Sequence, residues 1–321
     1  RMSFAPDGQS LLCEYCARNQ QFTAQPGTAN EKDFIIAMAT ARGHGKPLDQ
    51  QVFHCEGCSS EFILPPDQIS TTCVYCGSPY VVNWEADKKL LAPDGIIPHA
   101  FDQRPAIKVL IEWVEANQIK PEKQVDSPRG VYLPLWTFDL GGEIDYVGER
   151  IDDNEIQFGS RLPKTIRVND CYPVQVNDLP IPASRKLSGV FLKLIPGFEL
   201  KAVKPYDPGY LANWPAEVYD IPMAEASLDA RAQALSRYRR DLPNLLTPLQ
   251  IISTSSAKMT IESFRLDLLP VWITELAFGG SEHLVLINGQ NGMVASDVPE
   301  KSKKSGKSGG LMEFLSDLLN D

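Results

Sequence analysis

Two pairs of thiols, Cys55-Glu56-Gly57-Cys58 and Cys73-Val74-Tyr75-Cys76, are the residues of this chain whose type and spacing specify a chemistry. Each C-x-x-C folds into a tight knuckle offering two sulfurs. Two knuckles separated by fourteen residues close a tetrahedral four-thiolate site for Zn2+. Gly77 follows the second pair, where a knuckle needs positive φ, and Ser59 holds the matching place after the first. A redox dithiol or four free cysteines is the competing reading, and the double spacing disfavours it. With four protein sulfurs on the metal, no coordination position stays open for water or substrate, so the expected role of zinc is structural.

Cys13-Glu14-Tyr15-Cys16 repeats the pattern down to the aromatic before the last thiol, and Cys171 stands alone. Cys13 and Cys16 read as the second knuckle of another ribbon, whose first knuckle is expected upstream of Arg1. Met2-Ser3-Phe4 would then be a ribbon strand, Pro6-Asp7-Gly8 its turn and Leu11-Leu12 the return strand. The alternative is a mixed site completed by His44 and His54, which lack a recognised ligand spacing. Cys171 is assigned no role.

The elements that must position these thiols are short. Glu61-Phe62-Ile63-Leu64 and Tyr80-Val81-Val82 read as strands around the knuckles. Between the cysteine regions, Asn30 reads as the cap of a helix whose stripe is Phe34, Ile35, Met38 and Ala41. The chain divides into a partial first ribbon (1–30), a linker helix (31–50), a second ribbon (51–92), an α+β body (93–298), and a basic linker with a tail helix (299–321). The body reads as duplicated, with antiparallel sheets. One unit runs from Ile96-Ile97-Pro98 through a helix from Asp102 to Asn117, Leu133-Pro134-Leu135-Trp136 and a Gly141-Gly142 hairpin turn. The other runs from Tyr219-Asp220-Ile221-Pro222 through a helix from Ala224 to Arg240, Leu269-Pro270-Val271-Trp272 and a Gly279-Gly280 turn. In the tail, Leu311, Met312, Phe314, Leu315, Leu318 and Leu319 recur at helical spacing, which suits a hook (311–319) for a partner protein or a membrane surface. Its acidic polar face favours the protein.

Composition narrows the function. The formal net charge is −10 and the sequence pI about 5.0, which argues against a protein whose main task is gripping phosphate backbones. The ribbon follows the trend: over 51–90, Lys88 and Lys89 face five carboxylates. No run of eighteen apolar residues spans a membrane. Zinc thiolates and an unpaired cysteine point to a reducing compartment, the cytoplasm. Ser305-Gly306-Lys307-Ser308 imitates the end of a phosphate loop, but Lys301 stands where the first glycine belongs. The carboxylates Glu143, Asp145, Glu149, Asp152, Asp153 and Glu155 read as a solvated hairpin face, and Arg237-Tyr238-Arg239-Arg240 as a helix end.

Several strings resemble a known family. They are Arg129-Gly130-Val131-Tyr132-Leu133-Pro134-Leu135-Trp136-Thr137-Phe138, Asp145-Tyr146-Val147-Gly148-Glu149-Arg150, Ile181-Pro182-Ala183-Ser184, and Pro205-Tyr206-Asp207-Pro208-Gly209-Tyr210-Leu211-Ala212. Leu269-Pro270-Val271-Trp272 followed by Asn288-Gly289-Gln290-Asn291-Gly292 completes the set. With the knuckles, they resemble bacterial proteins with transcription factor IIB-type zinc ribbons, often labelled as relatives of the primosomal replication protein N′ helicase. The resemblance implies two tandem ribbons, Cys55, Cys58, Cys73 and Cys76 as zinc ligands, and company with membrane-stress proteins. The chain lacks the loops that bind and hydrolyse ATP, so the helicase label does not carry over. The expected function is a non-enzymatic adaptor that meets protein partners through ribbons and tail; the alternative is a nucleic-acid-binding accessory factor in replication or transcription. Loss of a ribbon cysteine is expected to unfold that module and leave the body folded.

Overall fold

The computed structural model describes residues 29–40, 48, 50–64, 72–79, 81–84, 90–151 and 165–299, together with the backbone of three short strands before them. Those strands are β1 (Met2–Phe4), β2 (Ser10–Cys13) and β3 (Asn19–Gln21), paired in that order as a small antiparallel sheet. Met2 stands opposite Cys13, so the expected hairpin of Met2-Ser3-Phe4 with Leu11-Leu12 is formed. Cys16, His44, Asp152, Asp153, Glu155 and the tail 301–321 lie outside the described residues.

The expected linker helix begins later than its sequence suggests. Lys32 and Asp33 form β4 (Lys32–Asp33), which pairs with Phe264 and Ser263, and α1 (Phe34–Thr40) starts only after them. The cap is therefore Asp33, whose carboxylate accepts the Ile36 amide at 2.8 Å, rather than Asn30. Phe34 and Ala37 pack into the body against Phe138 and Phe264, whereas Ile35, Ile36 and Met38 face outward. Sheet pairing of Lys32 overrode the local capping signal.

Next come β5 (Val52–Cys55), β6 (Glu61–Ile63) and β7 (Val81–Trp84), then β8 (Gly95–Ile96) and α2 (Gln103–Ala116). The body's backbone is β9 (Arg129–Ile151), a 23-residue strand with β10 (Thr165–Pro182) on one edge. After α3 (Ser188–Leu194), β11 (Lys204–Pro205) and β12 (Ala216–Glu217), the long α4 (Met223–Leu245) leads into β13 (Gln250–Ser255) and β14 (Met259–Phe278). These two run consecutively along the other edge of β9. The sheet is completed by β15 (Ser281–Asn288) and β16 (Val294–Ser296). Both predicted body helices form, α4 extending further than expected, through Pro243 to Leu245.

The two glycine pairs behave differently. Gly279 and Gly280 both have positive φ, 65° and 80°, and make the tight turn between β14 and β15 that the sequence predicts. Gly141 and Gly142 make no turn. They lie inside β9, and only Gly142 has positive φ, at 101°, near the point where β9 exchanges β14 for β13 as its neighbour. A two-residue hairpin turn of the favoured kind needs positive φ at both residues or at the first, and here only the second has it, so the chain is not reversed. A side chain at Gly142 would sit 2.2 Å from the Lys258 carbonyl. Gly142→Ala is expected to destabilise the chain by about 2–3 kcal/mol, read as a shift of the urea midpoint at unchanged slope.

The two Leu-Pro-x-Trp segments lie side by side. Leu133 in β9 is directly opposite Leu269 in β14, with Pro134 facing Leu268 and Pro270 facing Tyr132. Each helix covers one antiparallel strand pair. Ala106, Ile107, Leu110 and Val114 of α2 pack on Trp272, Leu276, Val285 and Ile287, while Ala226, Ala230 and Ala234 of α4 pack beneath Trp136, Phe138 and Val176. Trp136 and Trp272 are at most 1% exposed, as their apolar settings predict, and the Trp136 indole donates to the Ile221 carbonyl at 2.8 Å.

Candidate metal centre

Both knuckles close in the same way. The Ser59 amide donates to the Cys55 carbonyl at 2.8 Å and the Gly77 amide to the Cys73 carbonyl at 3.0 Å. The next residues carry the return bonds, Cys55 to Ser60 and Cys73 to Ser78, each 2.9 Å from amide to carbonyl. Ser59 and Gly77 have φ of 59° and 68°, the two positive values the spacing calls for.

Strands β5 and β6 hold the first knuckle at the end of their antiparallel pair, and β7 pairs the other edge of β5. All four sulfurs converge. Cys55 Sγ lies 3.6 Å from Cys76 Sγ, Cys58 Sγ lies 3.5 Å from Cys73 Sγ, and the four fall within 4.8 Å of one another. A tetrahedral zinc with Zn–S bonds of about 2.3 Å has ligand sulfurs about 3.8 Å apart, so the group fits this metal. Cys55 and Cys73 are fully buried, Cys58 is half-buried and Cys76 exposed. Burial opposes ionisation of Cys58, but hydrogen bonds from Ser60, with Lys186 behind them, bring its thiol down to about 6. Burial pushes the Cys73 and Cys76 thiols up. Metal binding removes protons from all four.

Around the sulfurs lies a shell that spacing could not reveal. Lys186 Nζ donates to the Cys58 carbonyl at 2.9 Å and to Ser60 Oγ, and stands 4.8 Å over the Tyr75 ring. Arg129 donates to the carbonyls of Cys73, at 3.4 Å, and Tyr75, at 3.2 Å. The Tyr75 hydroxyl donates to the buried Glu217 at 2.6 Å, and Ser184 donates to the other oxygen of that carboxylate at 3.1 Å. Burial raises Glu217 to about 7 against the pull of these two hydroxyls. Arg129 and Ser184 stand inside two of the strings that carry the family resemblance, the one signal in the sequence that marked them.

The ribbon is continuous with the body. Ala216 and Glu217 of β12 pair with Ile63 and Phe62 of β6, and Ala216 also pairs with Tyr132 of β9, so one short strand carries the ribbon strands into the body's sheet. Cys55, Phe62, Leu64, Cys73 and Tyr75 share a core with Leu133, Leu135, Leu269 and Val271.

The remaining sequence-predicted residues do not join this centre. Cys13 ends β2, and its partner Cys16 is outside the described residues, as is His44. His54 lies on β5 beside Cys55 but adds no ligand to the sulfur group. Cys171 is half-buried in β10, and its thiol is pushed up by a hydrogen bond to Glu143. Glu143 and Asp145 lie on the exposed face of β9 beside Lys258, as a solvated face predicts. The cations of α4 are engaged locally: Arg239 with Thr254, Arg240 and Arg237 with Asp241. His99 is enclosed by Tyr132, Trp214 and Trp272, and burial lowers its pKa to about 3.

No family model matches the chain, and no solved structure does. The chain is similar to an uncharacterized protein of Bacillus subtilis (strain 168), YdjG, with 24% identity over 220 residues. The match covers 65% of this chain and spans 64% of that protein's length. The fold and site together define a mixed α+β chain with a large sheet and a four-cysteine group able to hold zinc. Among the described residues, no helix is long and apolar enough to cross a membrane.

Proposed function

We propose that this chain is a non-enzymatic zinc-ribbon adaptor, working in the cytoplasm and binding protein partners, with zinc in a purely structural role. The observation that carries the reading is the exposed face of α1. There Ile35, Ile36 and Met38 are 63%, 60% and 50% exposed, next to the exposed carboxylate of Asp33. Contiguous exposed aliphatic side chains mark interaction surfaces more often than isolated ones do. A metal ringed by four thiolates supports the same reading, because it offers no position to a substrate.

The duplicated body is part of this proposal. Its support is the pairing of the two Leu-Pro-x-Trp segments about Leu133 and Leu269, with each unit's helix covering the antiparallel strand pair of the other. The transcription factor IIB-type kinship rests on the knuckles and the quoted strings, and the comparisons add nothing to it. The primosomal label has less to stand on. The acidic charge and the local engagement of the α4 cations both weigh against the nucleic-acid reading.

Proximity labelling in cells, with the full chain and its Ile35→Asp/Met38→Asp variant, tests the adaptor. The wild type is expected to enrich a small specific set of proteins that the variant loses while its circular dichroism stays unchanged. Equal recovery by both would remove α1 from the account. Micromolar binding to DNA that weakens steeply with salt would put the nucleic-acid reading in its place.

A further inference from the structure

The described residues of the ribbon include no lysine and no arginine. Between Gln51 and Trp84, Glu56, Glu61 and Asp67 add negative charge. Zinc bound by four thiolates carries a net charge of about −2, the largest local charge in such a site. A centre of this kind is held most firmly where outer groups offset that charge and fix the ligands.

The body provides two such groups, one on each knuckle. Lys186, just beyond β10, reaches the first: its ammonium donates to the Cys58 carbonyl and to Ser60 Oγ, which in turn lies 3.3 Å from Cys58 Sγ. The hydroxyl therefore stands between ammonium and sulfur, its oxygen accepting from Lys186 and its proton available to the thiolate. Arg129, the first residue of β9, reaches the second: its two terminal nitrogens donate to the carbonyls of Cys73 and Tyr75. A Cβ on Gly77 would come within 3.3 Å of the same guanidinium, so the knuckle's positive-φ glycine also leaves room for Arg129 to lie against it. Tyr75 links the pair, since Lys186 sits over its ring while Arg129 holds its carbonyl.

We infer that Lys186 and Arg129 are the outer-sphere cations of this metal centre, positioning residues that offset the charge of the tetrathiolate and slow the loss of its zinc. The inference rests on the zinc reading of the four cysteines. It makes metal retention a property of ribbon and body together, because both cations come from outside the ribbon.

The test is the rate at which the full chain gives up zinc to a chromogenic chelator, for wild type, Lys186→Gln, Lys186→Arg, Arg129→Gln and the Lys186→Gln/Arg129→Gln double variant. Outer-shell partners of metal ligands are commonly worth about 10–100-fold in affinity. Each glutamine variant is expected to release zinc about tenfold faster and the double variant faster still, with Lys186→Arg close to wild type. Release from both glutamine variants within about twofold of wild type, each starting with one zinc per chain, would overturn the inference. So would equal acceleration by Lys186→Arg and Lys186→Gln, which would assign the position to packing and not to charge. Cobalt(II) titration of each variant gives the affinity directly, so a variant that folds only with metal is still scored. A wild-type chain that binds no zinc or cobalt would instead overturn the zinc reading itself.

Discussion

Cys73→Ser is expected to cost the chain its zinc and to lower the melting temperature of the body along with that of the ribbon. Metal binding in small zinc modules is worth about 10–16 kcal/mol at neutral pH, comparable with the whole net stability of an ordinary domain, about 5–15 kcal/mol. A ribbon deprived of it loses the main contribution that keeps it folded. Sequence spacing alone predicts that the damage stops there. The structure gives the reason it does not: β6 is paired to β12, β12 to β9, and Phe62, Leu64 and Tyr75 are buried against Leu133, Leu135 and Val271. When those side chains leave, the facing leucines and valines of β9 and β14 become exposed to water. Even about 4–5 kcal/mol lost from that shared core would lower the melting temperature by roughly 10–20 °C for a body of this size. Calorimetry with and without a chelator reads the effect, and near-ultraviolet circular dichroism reports on Trp136 and Trp272, which lie in the body. A body transition that stays in place after zinc removal would show the ribbon to be an independent module.

What the sequence made legible was local. The metal ligands could be read because a knuckle is a four-residue object whose geometry is written in its spacing. The same holds for Ser59 and Gly77, whose positive φ follows from the turn itself. The first body helix was legible through the helical spacing of Ile107, Leu110, Ile111 and Val114. Non-local effects were not. Gly141-Gly142 looks like Gly279-Gly280, and only the neighbouring strands decide that one pair continues β9 while the other reverses the chain. Asn30 has the chemistry of a helix cap, yet Lys32 and Asp33 are drawn into pairing with Ser263 and Phe264, more than two hundred residues away. Lys186 and Arg129 reach the cysteines across gaps of 128 and 56 residues, shorter but still beyond any spacing rule.

Arg265→Met is expected to destabilise the chain by about 3–5 kcal/mol at pH 8 and by clearly less at pH 5. Arg265 is buried, and its Nε donates to both oxygens of Asp267 at 2.9 Å, while its terminal nitrogens reach Asp178 at 3.0 Å and Glu31 at 3.3 Å. Asp267, on β14 opposite Leu135 of β9, is fully buried. Removing one partner of such a pair leaves an uncompensated buried charge, which is what makes the loss large. Even with its partner, burial raises Asp267 to about 7, against the opposing pull of the Arg265 charge. An unfolded aspartate titrates near about 3.9, so the native state holds this proton more tightly than the unfolded state does. The stability it contributes is therefore complete below about pH 4 and is lost as pH rises through 7. Without Arg265 the folded-state value moves higher still, so the loss continues above pH 7 and the gap between variant and wild type widens with pH. Glu217, also raised to about 7, gives a slope of the same sign in both proteins and cancels in the comparison. Urea midpoints at pH 5, 7 and 9 measure the gap, and Asp267→Asn in the Arg265→Met background is expected to recover much of it at pH 9. A gap that stays constant across that range would mean that Arg265 acts through the packing of its stem, and that the buried pair contributes nothing as a pair.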